Sequence, residues 1–111
     1  MATIIEKKSL PFLIISGQIP INKKIEFEHT FRIGFSSLSK DCISKSLSED
    51  CERGGVYYFF SMWSSAQTLQ NFIDSPEFQL LNGAFHALGN IGKNVQGNIF
   101  RYEPEIFISL S

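Results

Sequence analysis

The sequence predicts an α+β domain in which a four-stranded antiparallel sheet carries two helices on one face. Three observations lead there. Apolar stretches rich in β-branched and aromatic residues alternate with helical stretches in the order strand, helix, strand, strand, helix, strand. The strongest strand, Val56-Tyr57-Tyr58-Phe59-Phe60-Ser61-Met62-Trp63, has large apolar side chains in both parities, so each sheet face should meet something apolar. A chain of 111 residues, 43% hydrophobic and 19% charged, is long enough for one core but not for two. The expectation is therefore one domain over 1–111, with its core in about 10–104 and 105–111 as a C-terminal extension.

The first strand is read at Leu10 to Ile19, a short apolar run with β-branched residues. After Pro20, Asn22 is expected to cap a helix from about Lys23 to Leu38. Phe27, Phe31, Phe35 and Leu38 follow one another at spacings of four, four and three, so they share the core face of that helix. Gly34 either loosens the helix or permits close packing. A weaker strand spans Cys42 to Leu47. The polar run Ser48 to Gly55 ends in two glycines that can supply positive φ, as a hairpin loop requires. The strong strand Val56 to Trp63 follows at once.

Ser64 with Gln67 has the capping-box pattern and starts a second helix with Leu69, Phe72 and Ile73 on its apolar face. Ser75-Pro76-Glu77 reads as a second start, because Ser caps well and Pro fits the first helical turn, so the helix should break near residue 75. Phe78, Leu81, Phe85 and Leu88 continue the stripe until Gly89 stops it. Asn94 to Tyr102 gives a fourth strand, and Glu105 to Leu110, apolar at Ile106, Phe107, Ile108 and Leu110, reads as a fifth that pairs with a sheet edge. This order is the split βαβ, or ferredoxin-like, arrangement. It leaves one sheet face uncovered, and packing that face against a second copy of the chain would bury it.

A formal charge of -1 with scattered Lys and Arg gives no footprint for nucleic acid or an anionic membrane. No apolar run reaches the roughly 18 residues of a span, and residues 1–8 have no signal-peptide pattern, so the expected location is the cytoplasm. Cys42 and Cys51 lie nine positions apart, roughly 30 Å if extended, and are read as two reduced thiols. Zinc spacing, a complete phosphate loop, a Ser-His-Asp triad and a carboxylate pair are all missing from the sequence, so no metal and no cofactor is expected.

Eleven Phe in so short a chain point to an aromatic-lined pocket or interface. Tyr57, Phe59, Ser61 and Trp63 share one strand face. If it looks toward the helices, Tyr57 and Trp63 present an O–H and an N–H into an apolar cavity; otherwise they are core or interface aromatics. His29 points away from the core face. His86 shares a helical stripe with Gln79 and Asn82, which is either a pocket wall or the solvent boundary.

The segments Ser48 to Phe59, Trp63-Ser64-Ser65 with Ser75-Pro76-Glu77-Phe78, and Asn98 to Pro104 resemble the dimeric α/β-barrel superfamily. The first and last resemble its YdhR-type monooxygenase-like proteins, and the middle one resembles its antibiotic-biosynthesis-monooxygenase branch. The resemblance implies a ferredoxin-like protomer, a homodimer with sheets face to face, and a pocket between sheet and helices bordered by Trp63. It further implies a cofactor-independent monooxygenase, an oxidoreductase acting on a small anthrone- or quinol-like aromatic. On that reading Trp63, Tyr57 and His86 are the candidate catalytic residues, with Phe59, Asn82 and Phe85 lining the substrate pocket. The haem-degrading members have a histidine seven positions after the serine that begins the second half-helix; Asn82 stands there, which counts against haem. The alternative is a non-catalytic small-molecule-binding or structural homodimer of the same fold.

Overall fold

A computed structural model describes residues 6–91 and 94–103. Its elements are β1 (Glu6–Gln18), a 3-10 turn (Ile21–Lys23), α1 (Lys24–Ser36), β2 (Cys42–Glu49), β3 (Val56–Trp63), α2 (Ala66–Ile73), α3 (Pro76–Leu88), β4 (Asn90–Ile91) and β5 (Val95–Glu103). The sheet runs β2-β3-β1, and the fourth place, on the far side of β1, is shared by β4 and β5. All pairings are antiparallel. The α+β ferredoxin-like architecture is therefore as the sequence predicts.

Alternation along the central strands sorts the side chains. Leu13 and Ile15 of β1 with Tyr57, Phe59, Ser61 and Trp63 of β3 turn toward the helices and are buried. They meet Phe27 and Phe31 of α1, Leu69 and Phe72 of α2, and Leu81 and Phe85 of α3 in a continuous aromatic core. Phe27 and Phe85 lie 4.9 Å apart between centroids, and Phe31 stands edge-on to Phe59 at 5.2 Å. Such tilted pairs add roughly 0.5–1.5 kcal/mol each beyond burial. On the other face Phe12 and Phe60 stack at 6.1 Å, and no helix among the described residues covers them.

Glycine at two places makes the helix and hairpin positions attainable. A Cβ on Gly34 would stand 2.7 Å from Leu81 Cδ2, so glycine lets α1 lean on α3, and of the two readings of Gly34 it is close packing that the structure shows. Gly55 has φ +86° and approaches Ile19, whose N–H donates to the Gly55 carbonyl at 2.7 Å.

The differences from expectation are local. The first strand begins at Glu6, four residues before Leu10, because its polar start is held in register by β5. Asn22 does not cap α1: it lies inside the 3-10 turn, and α1 starts at Lys24 without a side-chain cap and ends at Ser36, before Leu38. The capping box of α2 is Ser65 with Thr68, one residue later than Ser64 with Gln67. The break at 75 occurs as read, with Ser75 accepting the Phe78 N–H and Pro76 opening α3. The last main strand is Val95–Glu103, preceded by the short β4. The expected fifth strand over 105–110 lies outside the described residues.

Candidate active site

Because α1 leans on α3, it stands away from the edge strand β2. The helix-facing residues of β2 include Lys45, Leu47 and Glu49, opposite Ser61, Phe59 and Tyr57, and of its side chains only Cys42, opposite Trp63 at the start of the strand, and Leu47 pack against the apolar core. The charges flanking Leu47 pin α1 at both ends. Lys24, in the first turn, pairs with Glu49 at 3.0 Å. Lys45 donates to the Phe35 carbonyl at 2.7 Å and sits 4.6 Å from the centre of the Phe35 ring, a cation placed where the helix dipole favours one. Between the two tethers lies a solvent-open cleft of about 520 Å³, within the size range of small-molecule sites.

Phe31, Phe35, Leu47 and Tyr57 form the apolar wall of this cleft, and Glu28, Arg32 and Glu49 its charged rim. Tyr57 is 3% exposed, yet its phenol donates to Glu28 Oε2 at 2.5 Å. Burial, reinforced by the Glu28 carboxylate, pushes the Tyr57 phenol far above its ordinary range, so it remains a protonated donor at any physiological pH. Glu49 is the reverse case. The Gly55 N–H and the Lys24 ammonium favour its charged form and hold its carboxyl below the usual value. Together these groups offer an aromatic-lined surface ending in a phenol–carboxylate pair, a constellation suited to moving one proton.

Tyr57 and Trp63 share the helix-facing side of β3, as parity requires, but stand at opposite ends of the strand, roughly 20 Å apart. Trp63 does not border the cleft. It adjoins a smaller cavity of about 150 Å³ with Leu38, Thr68 and Phe72. Its indole N–H donates to Ser61 Oγ at 3.0 Å, Ser61 donates to the Leu13 carbonyl, and the ring stacks on Phe72 at 4.6 Å. Phe59 and Phe85 are fully buried, Phe59 beneath the cleft wall and Phe85 between Phe27 and Phe31. His86 is exposed in the last turn of α3, and Asn82 is half-buried on the same helix with Oδ1 lacking a hydrogen-bond partner among the described residues. The structure thus gathers Tyr57 with Glu28 and leaves Trp63, His86, Asn82 and Phe85 elsewhere. Glu28 is the residue that sequence reasoning passed over; the available signal was its place on the helix flank, one position after the buried Phe27.

No protein-family model matches the chain, and no curated protein matches it. Among solved structures, a protein provisionally named an antibiotic biosynthesis monooxygenase from Caulobacter crescentus superposes with a TM-score of 0.68 at 17% identity, covering 83% of this chain and 89% of that one. A second protein so named, from Chloroflexus aurantiacus, gives 0.63 at 15%, covering 79% and 90%. A conserved protein from Methanosarcina mazei gives 0.67 at 14%, covering 81% and 91%. The chain therefore has the ferredoxin-like fold of monooxygenase-like proteins; identities this low speak for the fold alone.

Proposed function

We infer that this protein is a homodimer that binds a small planar aromatic in the cleft between α1 and the β2–β3 hairpin and promotes its oxidation by dioxygen without a cofactor. The observation that carries this reading is the buried Tyr57 phenol hydrogen-bonded to Glu28 in the wall of an aromatic-lined cleft. In an anthrone-type substrate the ring methylene and one dioxygen become a ketone carbonyl and one water, the carbon losing both hydrogens and gaining one oxygen atom. Glu28 is positioned to accept the first methylene proton; the resulting anion gives its electrons to dioxygen, forming a C–O bond, and the proton held by Glu28 passes to the peroxide oxygen, which gives a hydroperoxide and restores the carboxylate. The hydroperoxide then loses water, taking the second methylene hydrogen with it, to leave the ketone. As Glu28 takes up the proton, it becomes a weaker acceptor for Tyr57, so the phenol is released to donate to the substrate oxyanion when that charge develops. Base and donor each contribute on the order of 10²-fold or more in well-formed sites.

The homodimer rests on the helix-free sheet face. Phe12 and Ile14 of β1, Phe60 and Met62 of β3 and Val95 of β5 align across neighbouring strands there. A second copy packed on that face buries these side chains in an interface of about 1,200–2,000 Å². A binding role without catalysis is the second reading, favoured by the open mouth of the cleft, which would leave a substrate anion exposed to water.

Oxygen uptake by purified metal- and flavin-free protein with an anthrone or a quinol is the test. Uptake above the buffer rate that falls in Tyr57→Phe and Glu28→Gln supports the oxygenase. Uptake no faster than buffer, with the aromatic still bound, overturns catalysis and leaves the binding role.

A further inference from the structure

Around the cleft each charged side chain is answered except one. Lys24 pairs with Glu49, which also accepts the Gly55 N–H. Lys45 is committed to the Phe35 carbonyl, and Glu28 to the Tyr57 phenol. Arg32 also lines the cleft and is exposed, and among the described residues no carboxylate or carbonyl accepts from its guanidinium. Lys24, Arg32 and Lys45 against Glu28 and Glu49, three cations to two carboxylates, leave one positive charge in excess, and it falls at Arg32. A guanidinium is a planar fork that matches a carboxylate and lies readily against a ring. Arg32 stands four residues along α1 from Glu28, about 6 Å of helix rise, comparable with the span of a fused bicyclic ring system.

Resting on the cleft as the aromatic site, we propose that its ligand is an aromatic carboxylate, with the ring system against Phe31 and Phe35, the acid group on Arg32 and the hydroxyl or reactive carbon at the Glu28–Tyr57 pair. Arg32 is then the residue that selects acids over neutral aromatics of the same shape. Because it is exposed and supports no neighbour, its replacement leaves the fold intact.

The test is a calorimetric titration with a hydroxynaphthoic acid bearing its two groups at opposite ends of the rings, alongside the methyl ester of the same compound, on wild type and Arg32→Gln. Wild type should bind the acid at least fivefold more tightly than the ester, and the preference should fall below twofold in Arg32→Gln. A fall in that ratio, as against an equal loss of affinity for both compounds, separates a lost acid contact from a damaged cleft. Equal binding of acid and ester by wild type, or a preference that survives Arg32→Gln, overturns the acid assignment and leaves the aromatic cleft standing. Failure of wild type to bind either compound overturns the cleft reading and this inference with it.

Discussion

Replacing Ser61 by Ala should cost far more than the loss of one oxygen atom suggests. Ser61 is fully buried and accepts the Trp63 indole N–H at 3.0 Å while donating to the Leu13 carbonyl at 3.2 Å. Trp63 is 1% exposed and held against Phe72, so its N–H cannot turn to water when the acceptor is removed. An unsatisfied buried donor costs roughly 1–3 kcal/mol, and we take about 2 kcal/mol as the expected loss. For a chain of 111 residues that is a fall in Tm of about 8 °C. Trp63→Phe removes the donor itself, so Ser61→Ala added to that background should cost at most about 1 kcal/mol. The double-mutant cycle then gives a coupling of at least about 1 kcal/mol. Urea unfolding followed by circular dichroism reads all four proteins, since the Phe variants lack the chain's one Trp. A Ser61→Ala loss under about 0.5 kcal/mol, or a cycle without coupling, would refute the relay and free the Trp63 N–H for another role.

Two further outcomes follow from the same structure. Glu49 and Asp50 are both held below their ordinary values, by the N–H groups of Gly55 and of Glu52 and Arg53 respectively, with Lys24 adding to the effect on Glu49. A depressed carboxylate contributes stability that is present above its unfolded value and lost as pH falls through its folded one, so Tm should decline below about pH 4.5. Glu49→Gln should flatten that decline in a calorimetric pH series; an unchanged slope would show the Glu49 contacts to be idle. Phe60→Asp places a charge on the helix-free face beside Phe12 and should leave a folded monomer at micromolar concentration by sedimentation, where wild type should sediment as a dimer. A wild-type monomer would remove the dimer from the account.

What could be read in the sequence was governed by local pattern. Phe27 and Phe31 at helical spacing are both buried, Phe35 packs beside them, and Gly55 takes the positive φ that a paired-glycine loop suggested. Ser75-Pro76 starts a new helix because a cap and a donor-less first turn are encoded in adjacent residues. Ser64 and Ser65 are a harder case. Each has a polar residue three positions on, Gln67 or Thr68, and only the backbone path after β3 decides that Ser65 caps. The polar start of β1 was missed because its partner strand is about ninety residues away, a ladder that local propensity does not record. The pairing of Tyr57 with Glu28 was missed for a similar reason. Tyr57 was visible as a strand aromatic, but its acceptor Glu28 comes from a helix, 29 residues earlier, a meeting that local pattern does not record. Trp63, prominent in the sequence, has its N–H satisfied inside the core by Ser61, two residues before it.

Whether an aromatic binds in the cleft between α1 and the β2–β3 hairpin, as we infer, is decided by an amide chemical-shift titration of the full chain with a planar aromatic. Saturable shifts are expected at Phe31, Arg32, Phe35, Leu47 and Tyr57, among the residues that line the cleft, with Trp63 and Phe72 unmoved. Saturable shifts centred instead on Trp63 and Phe72, or on the exposed face of α3 around His86, would contradict the inference.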